Sequence, residues 1–179
     1  MKMTEIRKAE GIVDVWRSAS DGRVEHIDTV HNTATYGTAD AAARAYAGDL
    51  SMIPQSIVFL YDNDPDSTSM ETLLGNGRSL VWEDVIEEFG ENHTDPEIPF
   101  SYAPSIESSD TDKYSGNKVV FHGVTQDVDE NSVNSVYIHG ACLVGKSGQD
   151  YRLLAIVDLG SKMKPADFEL SIDWAVKFN

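Results

Sequence analysis

The clearest periodicity in the chain lies near its end. Phe168, Leu170, Ile172, Trp174, Val176 and Phe178 alternate with Glu169, Ser171, Asp173, Ala175 and Lys177, the two-residue period of a strand with one buried face. Three segments before it, KVVFHGV (118–124), VYIHGACLV (136–144) and YRLLAIVDL (151–159), are rich in β-branched and aromatic residues and read as strands. GKSGQD (145–150) supplies a hairpin turn between the last two. Toward the start, IVDVWR (12–17) and VEHIDTV (24–30) read as strands joined through SASDG, where Asp21-Gly22 suits a tight turn. SIVFLY (56–61) does not alternate; it is apolar throughout and of strand length, which predicts burial on both faces.

Helical spacing appears twice. In DAAARAYAGDL, Ala41, Ala42, Ala45 and Tyr46 recur at helical intervals, with Thr38 placed to cap the start and Gly48 to end it. In LVWEDVIEEF (80–89), Val81, Trp82, Val85, Ile86 and Phe89 fall on one face of an amphipathic helix. Between Gly90 and Gly116, three prolines (Pro96, Pro99, Pro104) and many Ser, Asp and Glu predict irregular structure with one short edge strand near Phe100–Tyr102. No repeat of 20–50 residues is present. The elements add up to a mainly β protein: an antiparallel β-sandwich, jelly-roll-like, with one short Ala-rich helix and a helical or irregular acidic insertion. The expected organisation is a single domain over 1–179 with the insertion at 62–116.

Charge sharpens this picture because it is unevenly placed. The chain has 179 residues, with 30 Asp+Glu against 14 Lys+Arg, a formal charge of −16. Residues 1–44 carry 7 acids and 6 bases, and residues 113–179 carry 8 and 7. Residues 45–112 carry 15 acids and a single base, Arg78, so this third alone holds −14. A nucleic-acid groove needs clustered Lys and Arg, so DNA or RNA binding is not expected, and a polybasic membrane anchor is absent. The acidic segment reads as a surface elaboration, either facing solvent or docking on a basic patch of a neighbouring subunit, with Glu87, Glu88 and Glu91 as its interaction surface. Hydrophobic content of 41% is enough for a packed core. No apolar run approaches the roughly 20 residues of a membrane helix. MKMTEIRKAEG has no apolar stretch of the secretory kind. Cys142 is the only cysteine, so no intrachain disulfide forms.

Several motifs tempt a chemical reading. Gly140 to Ser147 spells GxxxxGK[ST], and LLAIVD ends at Asp158 as a metal partner would. A phosphate loop must lead into a helix, however, and Ala141–Val144 read as strand interior with no room for one. GNGRSL (75–80) lacks the third glycine of a dinucleotide fingerprint and reads as a turn leading into the helix behind it. Asp62, Asp64 and Asp66 begin like a calcium loop, but Ser67 and Leu73 occupy the positions that require Gly and Glu; a weaker, irregular Ca²⁺ site is the only cofactor that the sequence suggests. His26, His31, His93, His122 and His139 show no metal-ligand spacing, although His122 and His139 hold similar strand positions and would meet if the strands paired. Cys142, flanked by apolar residues, reads as an inert core thiol. Asn92-His93-Thr94 is a glycosylation sequon by spelling. No nucleophile elbow or other catalytic signature is found, and the expected protein is not an enzyme.

The two flanks carry a family resemblance. His31-Asn32-Thr33-Ala34-Thr35 leads to Gly37, an Ala-rich helix ending AGDL, and the strand SIVFLY. Later, VYIHGACLVG, LLAIVDLG, the linker SKMKPADF and the strand LSIDWAVKF follow in order. Over residues 10–61 and 117–178 this resembles a group of small virion structural proteins of tailed bacteriophages, in which an HN-containing entry precedes a short helix and a Trp-containing alternating strand closes the domain. The acidic segment departs from that pattern, as does His139-Gly140-Ala141-Cys142-Leu143, where the group often carries an acidic residue. The resemblance implies a head decoration, cement or fibre-anchoring subunit, or a tail-tip or tail-appendage component. It would be assembled in the host cytoplasm, homo-oligomeric, and bound to the major capsid protein or to tail or fibre proteins. The competing class is a carbohydrate- or receptor-binding β-sandwich with Trp82, Tyr102 and Tyr114 as stacking platforms.

Overall fold

A computed structural model describes residues 9–90, 105–107, 118–125, 136–147, 150–164 and 168–178. The chain order is β1 (Ala9–Ala19), β2 (Val24–His31), β3 (Thr33–Ala34), α1 (Tyr36–Tyr46), β4 (Pro54–Asp62), α2 (Ser69–Leu74), a 3₁₀ turn (Gly77–Ser79), α3 (Trp82–Phe89), β5 (Ser105–Glu107), β6 (Lys118–Val124), β7 (Val136–Ser147), β8 (Asp150–Lys164) and β9 (Phe168–Phe178). The strands form two antiparallel sheets, one ordered β2-β1-β9-β6-β5 and the other β3-β8-β7-β4. The antiparallel sandwich expected from the pattern is therefore present. The edge-strand expectation near Phe100–Tyr102 lies outside the described residues; the short strand that is described nearby is β5. No described helix is long and apolar enough to cross a membrane.

The flanks interleave. β1 pairs with β9 along its whole length, from Ala9 opposite Phe178 to Ala19 opposite Phe168. β6 flanks β9 on the other side, with Phe121 opposite Trp174. Inward residues of this sheet (Val13, Val15, Phe121, Leu170, Ile172, Trp174) meet inward residues of the four-stranded sheet (Ile57, Phe59, Ile138, Leu143, Val157, Leu159) in one core. Trp174 is fully buried there. A salt bridge also joins the sheets near their rim: Lys162 Nζ of β8 reaches Asp28 Oδ2 of β2 at 2.7 Å and holds that carboxyl below its ordinary 3.8, by hydrogen bonding and by charge.

The four-stranded sheet is covered on its other face as well. Val58, Leu60, Cys142, Val144 and Ile156 pack against Met70 and Leu73 of α2, Leu80, and Trp82, Val85 and Phe89 of α3. The acidic segment is thus more than the surface elaboration expected from its charge: its apolar face closes a second core, while among its described residues Glu71, Glu83, Glu87 and Glu88 are exposed. Of the five residues assigned to the α3 face, Trp82, Val85 and Phe89 are buried and Ile86 is partly buried, whereas Val81 lies just before the helix and is 48% exposed. This three-layer arrangement explains why SIVFLY lacks alternation, since Ile57 to Leu60 are all buried between the sandwich core and the helices.

The first turn of α1 sits directly on β8. Thr35, not Thr38, is the N-cap: its buried hydroxyl accepts from Gly37 N–H at 3.2 Å and donates toward the carbonyls of Leu153 and Leu154. Thr38 lies inside the helix and donates its hydroxyl to the Leu154 carbonyl. The helix approaches so closely that a Cβ on Gly37 would stand 2.1 Å from the Leu153 carbonyl oxygen. At the other end Gly48 adopts φ +86° and donates to Ala45 O, the left-handed exit that its position suggested. Of the expected helical face, Ala41 is buried, but Tyr46 is 95% exposed.

Candidate functional site

The first turn of α1, the 3₁₀ turn, the start of α3 and the first residues of β8 surround a groove of about 810 Å³. That volume falls within the range of small-ligand sites, roughly 300–1,000 Å³. Tyr36 is part of its lining with 64% of its surface exposed, and the residue that follows it, Gly37, is pressed onto β8. The Arg78 guanidinium lies over the Tyr36 ring, 5.4 Å from its centroid. Trp82, 3% exposed, lies deep in the groove wall, with the Tyr151 ring 6.2 Å away. Lys146 lies over the other aromatic of the pair, 4.9 Å from the Tyr151 centroid.

The polar part of the groove is organised around Asp40. Its Oδ2 accepts from Arg44 Nε at 3.2 Å and forms an ion pair with Arg152 Nη1 at 3.1 Å. A carboxylate held between two guanidiniums keeps a fixed orientation and offers an acceptor beside a donor. Glu83 and Asp150 complete the charged lining. At the start of α3, Asp84 Oδ2 accepts from Val81 N–H at 2.9 Å.

A second cavity, of about 240 Å³, opens between the sheets under the small-residue face of α1, where Ala41, Ala42 and Ala45 face Val119, Leu143 and Val176. At its edge Asn32 occupies the space beside Gly11 that any Cβ there would fill. The outer face of the five-stranded sheet carries a polar row instead of a cavity. Thr29, Asp14, Asp173 and His122 lie in register across β2, β1, β9 and β6. Thr29 Oγ1 donates to Asp14 at 2.5 Å, His26 Nε2 lies 3.0 Å from Thr29 Oγ1, and His122 Nδ1 lies 2.7 Å from Asp173 Oδ1.

The sequence candidates are placed as follows. His122 and His139 do not meet, because β6 and β7 belong to different sheets; His122 pairs with Asp173, and His139, 3% exposed, sets Nε2 2.7 Å from Asp62 Oδ1. Asp62, Asp64 and Asp66 do not converge as a ligand set. Asp62 accepts from Asp64 N–H, and Asp64 accepts from Asp66 N–H, as successive turns of a loop. No cluster of three metal-ligating side chains occurs among the described residues. Burial pushes the Asp62 carboxyl up, but its hydrogen bonds from His139, Asp64 and Ser67 outweigh that and leave it below 3.8. Trp82 is buried and offers no exposed stacking face; Tyr102 and Tyr114 lie outside the described residues, as do Asn92, His93 and Glu91. Glu87 and Glu88 are exposed on the outer side of α3.

Gly140 to Lys146 run through the interior of β7 and, with Ser147, pair with β8 from Asp158 to Asp150; this is a ladder, not a phosphate loop. GNGRSL forms the 3₁₀ turn ahead of α3, as a turn reading requires. Cys142 is fully buried, and burial pushes its thiol far up, so it stays protonated and unreactive. The groove residues Tyr36, Asp40, Arg78, Tyr151 and Arg152 were missed by sequence reasoning. One signal was available: Arg78 is the sole base in residues 45–112.

Comparison of the chain with protein-family models, with curated proteins and with solved structures returns no match in any of the three.

Proposed function

We propose that this chain is a non-enzymatic structural subunit of a tailed-bacteriophage virion: a head decoration, cement or fibre-anchoring part that assembles as a homo-oligomer on the major capsid protein. The observation that carries this reading is how the fold uses the polar residues of the resembling motif. The Asn32 side chain fills the space beside Gly11 while its backbone N–H donates to the Gly11 carbonyl, Thr35 caps α1, and Gly37 permits the contact with β8. These residues hold the entry to the helix, so the motif is architectural. The same flanks that carry the resemblance, separated in the chain by the acidic segment, supply the strands of both sheets apart from β5. A module of that kind suits a part present in many copies, whose work is done by its surfaces.

Two surfaces are suited to contact. β2 lies at an edge of its sheet with most of its residues exposed, Val24 to 64%. The outer side of α3 presents Glu87 and Glu88 to a basic neighbour. Mass spectrometry of purified particles should find the protein in fixed proportion to the major capsid protein, and it should sediment with capsids after tails are detached. Recovery with tails alone would move it to a tail appendage. Absence from purified virions would overturn the assignment.

A further inference from the structure

We propose that the groove between α1, the 3₁₀ turn, α3 and the start of β8 is a binding site for a neutral oligosaccharide. Three independent features of the groove lead to that class of ligand.

The first is an exposed aromatic in the lining, with a guanidinium on one face of its ring and the rest open to solvent. Tyr36 keeps 64% of its surface in water, and Arg78 lies over its ring. Val81, beside them in the lining, is 48% exposed. A pyranose ring has one face made largely of C–H groups, and such a face packs on an aromatic ring while its hydroxyls point to the sides. An exposed tyrosine pinned by a guanidinium loses little side-chain freedom when it makes that contact.

The second is a preorganised ion pair in the groove lining. Asp40 and Arg152, 3.1 Å apart, place a carboxylate acceptor next to a guanidinium donor, and Arg44 fixes the carboxylate from behind. Two neighbouring hydroxyls on a sugar, one donating and one accepting, match such a pair. Arg78, over the Tyr36 ring, adds further donors to the lining. Among the described residues, Arg78 is the one arginine with no carboxylate partner, although its third of the chain holds 15 acids. No ion pair has to be broken for it to accept a ligand.

The third is charge. Arg78 and Arg152 against Asp40, Glu83 and Asp150 leave the lining near neutrality, at −1, within a chain of −16. That field opposes sulfated, phosphorylated or uronic chains, and the lining has too small an excess of acid to select a cation. An uncharged, hydroxyl-rich ligand is what remains.

The test is an array carrying neutral gluco-, galacto- and N-acetylhexosamine oligosaccharides beside sialylated and sulfated ones, probed with the full chain. Retained glycans are then titrated by following tryptophan fluorescence, because Trp82 lines the groove. Neutral glycans should be retained. Tyr36→Ala and Arg78→Gln should each weaken binding by roughly three- to tenfold, the scale of one aromatic or cation–π contact, without shifting Tm. Glu87→Gln, on the outer side of α3, should leave binding unchanged. Retention of no neutral glycan at millimolar concentration, retention of anionic glycans only, or wild-type binding by both groove variants would overturn the proposal. None of these outcomes touches the virion assignment, which is read from particle composition.

Discussion

Replacing Val85 by alanine separates a true third layer from a detachable appendage. Val85 has no exposed surface and lies between Trp82 and Phe89 on the face of α3 that covers Val58, Leu60, Cys142, Val144 and Ile156. Val85→Ala deletes two methyl groups, worth about 1.6 kcal/mol at ~0.8 kcal/mol each. The void adds roughly 24 cal/mol for each Å³ that the neighbours fail to fill, while the better helix propensity of alanine returns about 0.5 kcal/mol. The net loss is about 1.5–2.5 kcal/mol. For a chain of this length that lowers Tm by ~3–10 °C. Urea and thermal unfolding followed at a β-sheet circular dichroism wavelength report on the sandwich, and tryptophan fluorescence reports on both, through Trp16 and Trp174 in the five-stranded sheet and Trp82 in the second core. If the helices and the sheets unfold as one unit, both signals shift together by that amount. Glu87→Ala on the solvent side should stay within ~0.5 kcal/mol of wild type. A sheet transition that Val85→Ala leaves unmoved, with only a separate early fluorescence change, would refute the three-layer reasoning.

Further outcomes are expected elsewhere. Thr35→Ala removes the cap of α1 and leaves Gly37 N–H without its buried acceptor, so it should cost about 1–2 kcal/mol in urea unfolding; no loss would mean that the helix start is held by packing alone. Lys162→Met should lower stability near neutral pH and progressively less in acid. Because the Asp28 carboxyl is held below 3.8 in the fold, its contribution is full above that value and is lost as pH falls through the depressed one. A Tm difference that persists unchanged into strong acid would contradict that linkage. Glu87→Gln with Glu88→Gln should spare folding but weaken attachment to particles at low salt, with the difference from wild type shrinking as salt rises. Identical salt curves would remove α3 as the contact.

Local pattern was a good guide wherever local pattern decides. The alternation from Leu170 to Trp174 gave the buried face of β9, and the last two strands of the long β region pair as the hairpin that GKSGQD suggested. Gly48 ended its helix because a positive φ at that position is a backbone matter. The helix start was misread by one turn. Thr35 and Thr38 are equally good caps by residue type, and the choice between them was made by the carbonyls of Leu153 and Leu154, more than a hundred residues away. The pairing of His122 with His139 failed for a related reason: similar strands at similar positions do not tell which sheet each strand joins.

The groove was illegible for the same cause. Tyr36, Arg78 and Arg152 come from three separated segments, and nothing in the spacing between them encodes proximity. By itself, the sequence determined the strands other than β3 and β5, the two longer helices, the inert thiol and the concentration of charge in one third of the chain. All of these follow from side-chain period, turn chemistry and composition, which act over a few residues. It also determined that SIVFLY is buried on both faces. Tertiary structure alone decided what covers the second face. The acidic helices do, because an amphipathic helix can keep Glu87 and Glu88 in water while Trp82, Val85 and Phe89 close a sheet that would otherwise expose Leu60 and Ile156. Net charge describes the outside of such a segment, and only packing shows that its inside is core.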